Sequence, residues 1–268
     1  LEKLENKVAV ITGASKGIGK GIAEVFAKYK AKLVLAARGP QVLEIADELC
    51  ANGAEAIGVQ CDVSDYKSIL NLRAKCLEKF GPADILVSNA GICVLEDFIS
   101  GDDEDPDFSN RDKHFDINVK GAWNAARAFL PDIKTHGKGA IVVTSSVTGD
   151  MVADPGEMAY ATSKAALVGF TKCLAREVAP DNIRVNAICP GYAMTPLVEG
   201  MAKQSDPEHP ERAIQAIASA VPLGRLADPK EIGELAAFLA SDESSYITGT
   251  QIVIDGGSTL PETTSMGV

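Results

Sequence analysis

Short, uninterrupted apolar runs recur along the chain at residues 8–11, 33–37, 85–87, 140–143, 185–189 and 252–254, with a weaker one at 56–59. Continuous runs, in place of strict alternation, predict strands covered on both faces, as in a parallel sheet. Amphipathic stretches with helix punctuation lie between them. Residues 17–29 set Ile18, Ile22, Val25 and Phe26 on one helical face. The stretch 42–51 runs into Asn52-Gly53, and 64–80 into Gly81-Pro82, both of which are stop signals. Asp228-Pro229-Lys230-Glu231 predicts a capping box ahead of a helix over 232–240. A stretch at 160–179 is apolar around much of its circumference and should be buried on more than one side. Strands and helices in this rhythm predict an α/β fold. Its core is a single doubly wound parallel sheet of about seven strands, with right-handed crossovers and helices on both faces.

Residues 1–268 show no internal repeat, low-complexity tract or linker, so one domain is expected. Two segments depart from the rhythm. The acidic stretch 101–112 reads as a solvated loop, because its spacing fits no calcium loop. The connection at about 192–220 is long and carries Met194, Leu197, Val198, Met201, Ile214 and Ile217, which predicts a substrate lid with an apolar underside. Residues 256–268 form a short C-terminal extension beyond the last strand.

Composition narrows the partners. A formal net charge of −11 argues against nucleic acid and anionic membranes, so a phosphate-bearing ligand must be held by local groups. The six cysteines lie without a C-x-x-C spacing, which predicts reduced thiols and a cytoplasmic protein. His114, His136 and His209 are far apart in sequence; we expect surface or loop positions and no metal site. The charged opening Leu1-Glu2-Lys3-Leu4-Glu5, with no run of ~18 apolar residues anywhere, predicts neither signal nor span.

The chemistry begins at Thr12-Gly13-Ala14-Ser15-Lys16-Gly17-Ile18-Gly19, in the first strand-to-helix turn. Its glycines allow a tight turn and a close approach to a pyrophosphate, which the free N–H groups of the helix start can bind. The Gly-x-x-x-Gly-x-Gly spacing differs from G-x-G-x-x-G, but it sits where the crevice of a doubly wound sheet forms. The second strand ends Ala36-Ala37-Arg38-Gly39, without the carboxylate that would bond a ribose 2′-hydroxyl. Arg38 can fork onto a 2′-phosphate instead, and Lys16 adds a second positive charge. NADP(H) is therefore expected in preference to NAD(H).

Tyr160 and Lys164 are four residues apart, which on a helix places their Cβ atoms roughly 5–6 Å from each other. An ammonium that close should pull the phenol down from its usual value of about 10, making a general acid/base.

With these pieces assembled, the chain resembles the short-chain dehydrogenase/reductase family over nearly its whole length. The matching residues are the 12–19 turn, Cys61-Asp62-Val63, Asn89-Ala90-Gly91, Asn118 in Ile117-Asn118-Val119-Lys120-Gly121, Ser145-Ser146-Val147, Tyr160-x-x-x-Lys164 and Pro190-Gly191. Stretches 147–161 and 225–262 are similar to a narrower bacterial oxidoreductase subgroup. The resemblance implies a Rossmann-like fold and a catalytic set of Asn118, Ser146, Tyr160 and Lys164. Tyr160 would move the proton, Lys164 would tune it and bond the nicotinamide ribose, Ser146 would bond the substrate oxygen, and Asn118 would hold a relay water. It places Gly13, Ser15, Lys16, Gly17, Ile18 and Gly19 on the cofactor pyrophosphate. Asp62 and Val63 would meet the adenine, Asn89, Ala90 and Gly91 the adjoining ribose side, and Pro190, Gly191 and Thr195 the nicotinamide. It also implies a homotetramer joined through the 160–179 helix and the 112–135 one.

Three departures stand out. Ser88 replaces a first Asn before Asn89, Ser146 and Tyr160 are one residue further apart than is usual, and Ala37 stands where the bacterial subgroup is acidic. The last would imply NAD(H) for the subgroup, whereas Ala37-Arg38 here argue for NADP(H). Walls from 93–95, 150–158 and the lid, with Met151, Val152, Met158, Met194, Leu197 and Met201, suggest an apolar ketone or alcohol such as a hydroxysteroid. Three alternatives are kept: a 3-oxoacyl-thioester reductase for an acyl carrier, a non-catalytic nicotinamide-dinucleotide sensor, and an epimerase or dehydratase. The acidic chain, the retained Ser146, Tyr160 and Lys164, and the lack of room for a second domain weigh against them respectively.

Overall fold

The apolar runs form strands at the expected positions, and all pair in parallel. The structure, a computed structural model, describes residues 2–99 and 107–260. In chain order the elements are β1 (Val8–Thr12), α1 (Gly17–Lys28), β2 (Lys32–Ala37), α2 (Gln41–Ala51), β3 (Glu55–Gln60), α3 (Tyr66–Phe80), β4 (Ile85–Ser88) and α4 (Ser109–His114). They continue through α5 (Gly121–Lys134), β5 (Gly139–Thr144), α6 (Met158–Val178), β6 (Ile183–Pro190), α7 (Pro196–Ser205), α8 (Pro210–Ala220), α9 (Pro229–Ala240) and β7 (Gln251–Ile254). The sheet has seven strands in the order β3-β2-β1-β4-β5-β6-β7. The order reverses between β1 and β4, and the crevice of such a sheet opens at the carboxyl ends of those strands.

Two apolar cores flank the sheet, and successive strand residues divide between them. Ala9, Ile11, Leu33 and Leu35 pack with Ile22 and Phe26 of α1 and Ile232 of α9. Val8, Val10, Val34 and Ala36 face the other way, toward Ile69 and Leu72 of α3, Phe129 of α5 and Leu167 of α6. This division explains the unbroken apolar runs, since both faces are covered. The edges are weaker: β3 and β7 leave residues partly exposed where β1 and β4 leave none.

The punctuation does what the residue types dictate. Gly53 (φ +88°) and Gly81 (φ +87°) follow the ends of α2 and α3 in conformations that other residues rarely adopt. Asp228 caps α9 through a full capping box with Glu231.

Four details differ from expectation. Helix α3 starts at Tyr66 because Asp65, accepting from Lys67 N–H at 3.0 Å, is its cap. The stretch around 112–135 is α4 and α5 joined by a π-helical turn, Phe115–Lys120. The long 192–220 connection is mostly two helices, α7 and α8, and no side chain of α8 is fully buried. His114 is buried, not superficial, because Val94 N–H donates to its Nε2 at 3.1 Å and its Nδ1 meets Asn110 O at 2.8 Å. Much of the acidic stretch, residues 101–106, lies outside the described residues, as do 261–268 of the C-terminal extension and the side chain of Met201.

Candidate active site

A cavity of about 920 Å³ opens at the carboxyl ends of β1 and β4 and runs past β5 and β6. Its first wall is the glycine turn. Gly13 adopts φ +69°, and a Cβ there would stand 2.8 Å from Ala90 Cα. At Gly17 (φ +55°) a Cβ would come within 3.2 Å of Thr195 Cγ2, so the turn and the chain leading into α7 face each other closely. Lys16 occupies the N-cap of α1 but supplies no side-chain cap, which leaves first-turn N–H groups free for a ligand. Ser15, Ile18 and Gly19 line the same wall. The ends of β1 and β4 are tied together through Thr12 and Asn89. Thr12 Oγ1 accepts from Asn89 N–H at 3.0 Å and Ala90 N–H at 3.1 Å, and Asn89 Nδ2 donates to Thr12 O at 3.1 Å.

Arg38 lines the cavity from the end of β2 and is exposed there. Beside it, Asp62 accepts from Ser64 N–H at 2.9 Å and Ser64 Oγ at 2.7 Å, so it closes a local turn and does not cap α3. Those bonds hold its carboxyl below the usual range, and the Arg38 charge adds to the effect. Val63 and Gly91 complete this half of the wall.

At the other end, Tyr160 and Lys164 project from the first two turns of α6. Lys164 Nζ donates to Thr144 O at 2.8 Å and lies 5.7 Å from the centre of the Tyr160 ring. Burial pulls the ammonium down to about 8 and pushes the Tyr160 phenol up to about 12. The expected lowering of the phenol is thus reversed, because desolvation of a phenolate outweighs its neighbours. Only the Ser146 hydroxyl acts in the opposite direction, while Cys93 and Glu157 add to the rise. The two serines divide their work: Ser145 Oγ donates to Lys164 O at 2.7 Å, whereas Ser146 Oγ accepts from Thr148 N–H at 3.1 Å and keeps its own proton to give.

Asn118 is the one candidate residue that does not form the cavity surface; it is buried behind Gly91, in the π-helical turn. Its Oδ1 accepts from Ile92 N–H at 2.8 Å, and its Nδ2 donates to Ile92 O at 3.0 Å and Ser163 Oγ at 2.9 Å. Ser163 in turn donates to Tyr160 O at 2.7 Å. A Cβ on Gly91 would meet Asn118 Oδ1 at 3.3 Å and Lys164 Nζ at 3.4 Å, so these three groups converge. Pro190, Gly191 and Thr195 close the cavity from the β6 side, with Thr195 capping α7 through Val198 N–H.

The substrate end is more polar than expected. Of the six apolar side chains anticipated, Val152 and Leu197 line it, while Met158 is largely exposed on the outside and the Met201 side chain lies outside the described residues. Cys93, Asp154, Glu157 and Tyr192 share this wall. Glu157 falls in the expected 150–158 wall without having been singled out, and His114, expected at the surface, sets its ring edge-on to Tyr160 at 6.4 Å. Position 157 could have been found, since it precedes Tyr160 by three and shares its helical face; His114 carried no such signal.

The chain is similar to known proteins along nearly its whole length. The family described as Enoyl-(Acyl carrier protein) reductase aligns with residues 13–259. Oxidoreductase UcpA of Escherichia coli (strain K12) is 56% identical over 266 residues, covering 99% of each chain. The 3-oxoacyl-[acyl-carrier-protein] reductase FabG of Thermotoga maritima is 38% identical over 95% of this chain and 98% of its own. Among solved structures, L-sorbose reductase from Gluconobacter frateurii, complexed with NADPH and L-sorbose, superposes with a TM-score of 0.90 at 34% identity, covering 97% of this chain and 100% of that one. Likeness of this depth along almost every residue makes the chain a member of the short-chain dehydrogenase/reductase family.

Proposed function

We propose that the protein is an NADP(H)-dependent oxidoreductase that interconverts a ketone and a secondary alcohol, with Tyr160 as general acid/base. The observation that carries this reading is the Lys164–Thr144 bond beside Tyr160, at the end of a cavity that begins in an uncapped glycine turn. The glycine cradle fits a dinucleotide: Gly13 admits no Cβ, and free N–H groups at the start of α1 suit a pyrophosphate. Bound there, NADP(H) supplies or accepts the hydride.

The chain's own groups do the rest. Tyr160 gives a proton to the carbonyl oxygen in reduction and takes it back in oxidation. Ser146, with its proton free, donates to the same oxygen and shares its developing charge. Lys164, its ammonium fixed by Thr144 O, orients the nicotinamide ribose. Asn118 fixes the Gly91–Ile92 segment; because both Nδ2 hydrogens are committed, a relay through its side chain runs by Oδ1. Ser15, Lys16, Gly17, Ile18 and Gly19 hold the pyrophosphate, Arg38 and Lys16 the 2′-phosphate, and Asp62 and Val63 the adenine. Asn89, Ala90 and Gly91 flank the ribose, and Pro190, Gly191 and Thr195 seat the nicotinamide. The NADPH in the sorbose reductase structure supports the cofactor assignment. We read α7 and α8 as the lid, and Trp123, packed on Phe170 yet 61% exposed, supports a homotetramer joined through α5 and α6.

A second reading, reduction of the 3-oxo group of an acyl-carrier thioester, draws on the likeness to FabG. The two carboxyl groups of the substrate wall and the net charge of −11 suit an acidic carrier poorly. Initial rates with NADPH and NADH across ketones, alcohols and a 3-oxoacyl thioester test both. Turnover of the thioester alone would reject the first reading.

A further inference from the structure

Glu157 stands at the N-cap of α6, three residues before Tyr160, so both side chains leave the same side of the helix start. Its position invites a bond to the first-turn N–H groups, yet the side chain makes none. It turns into the cavity instead. There Oε2 is buried, and no donor among the described residues reaches it. Oε1 meets only the weak thiol donor of Cys93, at 4.0 Å, and the Thr148 hydroxyl is the other polar group that favours its ionised form. Burial, with Asp154 nearby, holds the carboxyl above its ordinary range.

A buried acceptor without a donor carries its full desolvation cost, and a ligand hydroxyl placed there removes it. Asp154 on the same wall adds negative potential, which turns away substrates bearing a carboxylate. With Glu157 and Tyr160 one helical turn apart, a ligand whose carbonyl faces Tyr160 brings its neighbouring carbons toward the Glu157 carboxylate.

We propose that Glu157 is a specificity-determining residue that accepts a hydrogen bond from a substrate hydroxyl beside the reacting carbon, so that hydroxyketones and vicinal diols are the substrate class. The assignment rests on the oxidoreductase reading for its reaction, but not for its binding. A site built to bond a hydroxyl discriminates strongly against the analogue that lacks it.

Two measurements test it in wild type, Glu157→Gln and Glu157→Leu. The first compares kcat/KM for 2-hydroxycyclohexanone and cyclohexanone. The second compares the affinity of trans-1,2-cyclohexanediol and cyclohexanol by calorimetry on the NADP-saturated protein. In wild type the hydroxylated member of each pair is expected to lead by about tenfold or more. Glu157→Gln, still an acceptor, keeps part of that ratio, and Glu157→Leu brings it toward one. A wild-type ratio near one, or a ratio that Glu157→Leu leaves unchanged while both members weaken together, overturns the proposal. If the diol's binding advantage appears and falls with Glu157→Leu while no ketone turns over, the oxidoreductase reading fails and this one stands.

Discussion

Lys164 Nζ donates to the Thr144 carbonyl at 2.8 Å, which fastens α6 to the end of β5 and buries an ammonium that is only 5% exposed. The bond fixes where the charge sits relative to Tyr160. Burial of that charge also works against the folded state, and this has a measurable consequence.

The folded-state pKa of Lys164 is depressed from 10.5 to about 8. The penalty on the charged form is therefore fully present below about pH 8 and disappears as pH rises through 10.5. Lys164→Met is expected to abolish turnover yet stabilise the fold at pH 7. Relief of the charge is on the order of 3 kcal/mol, less about 1 for the lost hydrogen bond. Thermal melts at pH 7 should rise by roughly 4–6 °C and converge with wild type toward pH 10. A lower melting temperature at pH 7 would contradict the burial argument.

Tyr160, raised to about 12, is a phenol across the working range. As an acid it is fully protonated, so ketone reduction is not expected to rise between pH 7 and 10. Alcohol oxidation needs the phenolate, whose share increases with pH, and should rise over the same range. Tyr160→Phe is expected to cost about 10³-fold or more in turnover while NADPH affinity by fluorescence titration stays near wild type.

The adjacent serines separate structure from chemistry. Ser146→Ala removes the free donor and should lower kcat about 10²-fold with little change in melting temperature. Ser145→Ala removes the 2.7 Å bond to Lys164 O and should cost on the order of 1 kcal/mol of stability, read by urea denaturation, with the smaller loss of rate.

Arg38→Asp places a carboxylate where the 2′-phosphate is proposed to sit. The NADPH/NADH ratio of kcat/KM should fall by about tenfold or more, as initial rates will show. An unchanged ratio would remove Arg38 from the cofactor assignment.

How much of this was legible beforehand varies by residue and follows from the range of the interaction. The seven strands were readable because a parallel sheet is covered on both faces, and unbroken apolar runs such as Val8-Ala9-Val10-Ile11 are the only sequences that satisfy both cores. Gly81 and the Asp228–Glu231 box marked helix ends because capping is settled within four residues. Tyr160 and Lys164 could be paired because a helical turn fixes their separation.

Contacts between distant segments were decided only by folding. Val94 N–H and His114 find each other because the end of α4 packs beside the start of α6, which no spacing announces. The sign of the Tyr160 shift belongs to the same class, since proximity to Lys164 is written in the sequence but the loss of water around both groups is not. Sequence alone determined which residues meet along a strand or a helical turn. Tertiary packing decided how much solvent they keep, and with it which way Tyr160 titrates and where Glu157 points.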